Sequence, residues 1–155
     1  MAYNGTVRAI WLRIAAPGIV CVVFVLMQLT AGSQWTLFPD SYRYARAAKQ
    51  YAGSTREEAH RAALEAFCRS RAERAAAEEL LRPVPRSPGE LERTERQKCL
   101  DRWRNAPDIT TGDPRYQAIF SSRPGYPLLA APFVAAFGVL DGLRLLGLLT
   151  GAAAS

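Results

Sequence analysis

Residues 14–31 read IAAPGIVCVVFVLMQLTA, 18 positions without a charge, and the fold turns on what this run is. It is near the minimum length that crosses a hydrocarbon core of about 30 Å as a helix. Only Gln28 and Thr30 within it are polar. A cleaved signal peptide is the rival reading, because Arg8 and Arg13 form a basic flank and Leu29-Thr30-Ala31 loosely resembles a cleavage site.

A second apolar region favours the membrane reading. Residues 127–140 read PLLAAPFVAAFGVL and lead into Asp141-Gly142-Leu143-Arg144. One long span over 127–149 would place Asp141 and Arg144 in lipid, at about 2.5–3.5 kcal/mol each near a helix centre. The alternative ends a helix at the Asp-Gly turn and starts another at Leu143, which keeps both charges in water. The final 11 residues, 145–155, would then rise only about 16 Å, so the chain is expected to be a fragment of a longer protein.

Between the apolar ends, residues 40–123 hold 17 of the 20 Lys and Arg and 13 of the 14 Asp and Glu. Arg8, Arg13 and Arg144 flank the apolar runs, so the positive-inside rule puts both termini in the cytoplasm and the middle outside. The expected fold is therefore all-α and integral to the membrane, with two transmembrane helices, the start of a third and an extracytoplasmic helical-hairpin loop. The boundaries are a cytoplasmic 1–13, helix one over 14–32, the loop over 33–124, helix two over 125–140, and a cytoplasmic turn with a truncated third helix over 141–155. The expected localisation is the plasma membrane, as a multi-pass protein.

Within the loop, Ser54-Thr55-Arg56-Glu57 reads as a capping box opening a helix to Arg82, and Ser87-Pro88-Gly89-Glu90 as a second one with Pro at the first helical position. Pro83 and Pro85 separate them. Cys68 lies 14 residues before Arg82 and Cys99 lies 12 after Ser87, so antiparallel helices bring the two thiols to nearly the same level. Cys68 and Cys99 are a candidate disulfide, and two free thiols are the alternative. Those cysteines and His60 lack any recognised zinc spacing, so no metal ligands are assigned.

The arginine run, including Arg69, Arg71, Arg74, Arg82, Arg96, Arg102 and Arg104, is interleaved with Glu65, Glu73, Glu78, Glu79, Glu95 and Asp101. That mixture makes helix-face pairs and a solvated surface, not a one-sign stripe, so no nucleic acid partner is expected. Trp35, Phe38, Tyr42, Tyr44 and Tyr51 read as an interfacial aromatic belt, with Asp40 or Ser41 capping a short helix on the membrane surface. Asp113-Pro114 opens another short helix ahead of Ser122-Arg123-Pro124-Gly125-Tyr126.

The apolar first run, the acid in FPDSYRYARAA, the loop, and SSRPGYPLLAAPFVAAFGVLDGLRLLG together resemble the amino-terminal part of polytopic glycosyltransferases of the C superfamily, the protein mannosyltransferase and lipid A aminoarabinose transferase types. The resemblance implies a catalytic base at Asp40, with Arg123 and Tyr126 at the mouth of a cleft for a polyprenyl-phosphate-linked sugar. Members often carry a second acid after the first; here Ser41 follows. No cofactor is evident, a divalent metal stays open, and the implied partners are the lipid bilayer and the lipid-linked sugar. On this reading the chain is a transferase fragment inactive by itself. The competing reading is a small two-helix membrane protein whose hairpin binds a partner and performs no catalysis.

Overall fold

The computed structural model describes residues 18–23, 25–27, 30, 36–109 and 113–153. Every regular element among them is helical: α1 (Pro39–Tyr51), α2 (Arg56–Glu79), α3 (Pro88–Trp103), α4 (Pro114–Ser121), α5 (Gly125–Phe137) and α6 (Val139–Ala153). The chain divides into two compact units, one of Met1–Gly32 with Gly147–Ser155, the other Ser33–Leu146. In the first, Cys21 is a free thiol whose Sγ donates to the Ala152 carbonyl at 3.2 Å.

The expected membrane architecture is corrected. Among the described residues no helix is long and apolar enough to cross a membrane. The expected second span, 125–140, breaks at Gly138, leaving α5 with 13 residues and α6 with 15. At 1.5 Å per residue these reach about 20 and 22 Å, short of a hydrocarbon core of about 30 Å. Of the expected first span, 14–32, residues 18–23, 25–27 and 30 are described and helical, and the remainder lies outside the described residues. The integral-membrane fold, the transmembrane helices and the multi-pass plasma-membrane localisation all fall with this finding.

The break itself is shifted from its expected place. Gly138 adopts φ +79°, a conformation that side-chain-bearing residues rarely enter, and so ends α5 where Asp141-Gly142 was expected to. Asp141 and Gly142 instead lie inside α6. Gly142 is there for proximity, since a Cβ on it would meet the Phe133 carbonyl oxygen at 2.6 Å. The missing side chain lets α5 and the start of α6 touch backbone to backbone.

The core of Ser33–Leu146 gathers Leu37 from the segment before α1, Tyr42, Ala45 and Ala48 from α1, Ala63, Leu64 and Phe67 from α2, and Ala130, Val134, Leu140 and Leu143 from α5 and α6. α2 forms because alanines and leucines recur at helical spacing behind a strong cap. Thr55 Oγ1 accepts from the Glu58 amide at 3.3 Å, and Glu58 Oε2 accepts from the Thr55 amide at 2.9 Å. The Thr55 amide, and with it the Thr55 hydroxyl donating at 2.9 Å, hold the Glu58 carboxyl below the ordinary carboxylate range. The capping box thus sits one residue later than the Ser54 frame, and this register points Ala59, Ala63 and Phe67 inward.

α2 stops at Glu79, three residues before the expected end, because a buried carboxylate organises the turn. Glu79 accepts from the Arg86 amide at 3.2 Å and pairs with Arg82 at 3.2 Å. Ser87 precedes α3 without a side-chain cap bond; the first turn closes on its carbonyl, which accepts from Glu90 and Leu91, so the second expected capping box does not form. A hydroxyl from Ser70 ties the leading segment to α2, accepting from the Leu37 amide at 3.0 Å.

Candidate functional site

Three places bring together the residues that could carry a function, and the expected catalytic residue is at none of them. Asp40 does not cap α1. Phe38 occupies the cap position, Pro39 follows, and Asp40 is exposed in the first turn, where its charge suits the positive end of the helix dipole. Arg123 is exposed beyond α4, its amide donating to the Phe120 carbonyl. Tyr126 packs edge-on against Tyr44 with ring centres 5.2 Å apart.

That aromatic pair belongs to a cavity of about 390 Å³ lined by Leu37, Ser41, Tyr44, Tyr126 and Leu143. Burial, and then the neighbouring Tyr44, push the Tyr126 phenol above its ordinary value. Asp40 and Arg123 are not in this lining, so the cavity joins one of the three expected sugar-site residues to Ser41 and separates it from the other two. Its walls are mainly apolar and its polar groups are neutral hydroxyls, a setting suited to packing more than to proton transfer.

The second place is a polar cluster on the inner side of α1. Tyr42 was expected at a membrane interface; it is fully buried, and its hydroxyl lies 2.5 Å from His60 Nδ1. Desolvation raises the phenol and lowers the imidazole, the latter helped by the Arg46 charge and opposed by Asp108. Both groups are therefore neutral near pH 7, and they share one hydrogen bond whose donor is set by the imidazole tautomer. Arg46 pairs with Asp108 at 3.1 Å and Arg43 approaches the same carboxylate at 3.6 Å. Arg43 also lies 5.1 Å above the Phe120 ring, and Arg46 lies 5.6 Å from the Tyr42 ring. A tyrosine with no exposed surface cannot reach a substrate, so this cluster locks α1 to α2 and to the chain around Asp108.

The third place is the helical hairpin of α2 and α3. Cys68 and Cys99 are joined by a disulfide, with their Cα atoms 5.5 Å apart. Beside Cys99 a groove of about 480 Å³ opens between the helices, floored by Phe67, Trp103 and Ile109 and edged by Arg71, Lys98 and Arg102. The Arg71 guanidinium lies 5.4 Å from the centre of the Phe67 ring, and that of Arg102 lies 5.2 Å from the Trp103 ring.

Around the groove the interleaved charges pair as helix spacing suggests. Arg69 meets Glu73 at 3.1 Å, Arg74 meets Glu78 at 2.7 Å, Arg104 meets Asp101 at 3.2 Å, and Arg96 reaches across the hairpin to Glu65. Arg71 and Arg102 pair with no carboxylate among the described residues. The sequence reading placed both in the solvated run and missed them. A signal was present, because neither has an acid three or four positions away on its own helix.

Among the described residues no group of three or more His, Cys, Asp or Glu could hold a metal ion. No protein-family model, no curated protein and no solved structure matches this chain.

Proposed function

We propose that the chain is a binding protein whose disulfide-closed helical hairpin, α2 with α3, docks a partner without making or breaking bonds. One observation carries this reading: none of the 16 residues of α3 is buried, yet the helix is fixed covalently to the α2 side of the core. A helix without a buried stripe gains little from tertiary packing, which normally supplies most of a helix's stability in a protein. The bridge compensates and keeps its polar surface in one place. Fixing a surface in advance lowers the ordering cost of association.

The sugar-transfer reading rests on resemblance alone, and no observation on Asp40, Arg123 or Tyr126 favours it over binding. The test is site-specific photo-crosslinking in cells of the natural source, with benzoylphenylalanine at Ala75 in the groove or Thr94 on the outer face of α3. A discrete adduct from one of these positions, lost in the Cys68→Ser/Cys99→Ser chain, is expected. Absence of any adduct from either position removes the binding reading.

A further inference from the structure

We propose that the groove between α2 and α3 receives an acidic partner segment that inserts an apolar side chain between the helices. This rests on the binding reading above and adds the chemistry of the partner.

The groove has two layers of different character. Its floor is apolar and partly aromatic, made by Phe67, Trp103 and Ile109. Its edge carries three cations, Arg71, Lys98 and Arg102, against one carboxylate, Glu95, which is already engaged by Lys98 at 3.0 Å. Arg71 and Arg102 lie over aromatic rings, which holds each planar guanidinium with its donors free at the edges. Arg69, Arg74 and Arg96 on the same two helices are paired with carboxylates, and Arg56, Arg61 and Arg93 lie off the groove, so within its lining Arg71 and Arg102 are the cations without an acid. A guanidinium so held suits a carboxylate that arrives from outside, in a two-pronged geometry.

The two layers together ask for a ligand with both features. A free inorganic anion would satisfy the edge and leave the floor empty. A purely apolar segment would fill the floor and leave the cations without partners. A flat anionic membrane could meet the edge, but the recessed floor between two helices would stay out of its reach. An acidic segment with a Leu or Phe flanked by Glu or Asp satisfies both layers, and aromatic and arginine residues are the groups that commonly anchor such interfaces.

The experiment uses the full chain with its disulfide intact and three short fluorescein-labelled peptides, followed by anisotropy. One alternates Glu and Asp with a Leu-Phe anchor, the second replaces the anchor by Ser, and the third replaces the acids by Lys. Saturable binding of the first alone, weakened by salt, is expected. Arg71→Glu/Arg102→Glu should weaken it at least about tenfold, whereas Arg93→Glu, which lies off the groove, should leave it unchanged. Should the double reversal disturb helical circular dichroism, Arg71→Gln/Arg102→Gln carries the same test.

Three outcomes overturn the proposal: no saturable binding of the first peptide, binding indifferent to both arginine pairs, or tighter arginine-dependent binding to phosphatidylglycerol vesicles than to the peptide. An adduct at Ala75 or Thr94 together with failure of the acidic peptide overturns this proposal and leaves the binding reading standing. Absence of any adduct removes the reading itself.

Discussion

α2 and α3 are partners in one hairpin and both are rich in charge, yet they are held by different forces. α2 buries ten of its residues, from Ala59 to Glu79, and α3 buries none. Only Cys99, Leu100 and Trp103 of α3 touch the core, and each stays partly exposed. Apolar residues recur often enough along α2 to make one continuous face, whereas α3 offers a few near its end. Hydrophobic burial is roughly proportional to area removed from water, so it can fix the first helix and not the second. A covalent bond and a charged contact from Arg96 to Glu65 do that work for α3, and an exposed ion pair alone contributes only about 0–1 kcal/mol.

The most direct way to break the contrast is to remove the burial that fixes α2. Phe67 is 4 % exposed and sits in the core beside Tyr42. Phe67→Ala should cost about 3–5 kcal/mol of unfolding free energy, by lost transfer energy and by the cavity left behind. Urea unfolding followed by circular dichroism measures it, and a cost below about 1 kcal/mol would mean that α2 is not anchored by this face.

Removing the bridge sharpens the contrast from the other side. The disulfide closes a loop with a sequence separation of 31, for which chain-entropy arguments give about 3–4 kcal/mol. Cys68→Ser/Cys99→Ser should therefore lower stability by that order and, more tellingly, should release α3 first. Hydrogen exchange is the check: amides of α3 should lose protection while those of α2 keep theirs. Equal loss in both helices would show the hairpin to be one cooperative unit.

The smallest expected effect concerns the joint between α1 and α2. The folded chain keeps His60 below the ordinary imidazole value of about 6.5, so between the two values the unfolded state binds more protons. Stability should thus fall as pH drops below about 6.5 and level off once pH has passed the lowered folded value. His60→Gln should reduce the difference in urea midpoint between about pH 7.5 and 5.5, and an undiminished difference would assign the pH dependence to other groups.

Much of the helical content was legible because its signals are local. The stretch from Ser54 to Glu58 signals a capping box, although its frame was expected one residue too early, prolines punctuate the turn after Arg82, and Asp113 caps α4 by accepting from the Arg115 amide at 2.8 Å. The level of Cys68 and Cys99 followed from helical rise alone. The apolar ends misled the reading, since composition does not reveal that Gly138 interrupts 125–140. Asp40 misled it as well: a carboxylate before a helix reads as a cap, and the actual frame is set one turn away by the inward faces of Tyr42 and Ala45.

By itself, then, the sequence determined which segments are helices and that two of them form a hairpin with thiols at one level, because caps, breakers and rise per residue act within a few neighbours. Only the tertiary structure decided that Tyr42 would turn inward onto His60, that Glu79 would organise the hairpin's turn, and that Gly142 would admit the Phe133 backbone. It also decided which arginines stay without a carboxylate beside an apolar floor. Those outcomes depend on groups distant along the chain competing for the same space and the same hydrogen bonds, and no local rule ranks such competitors.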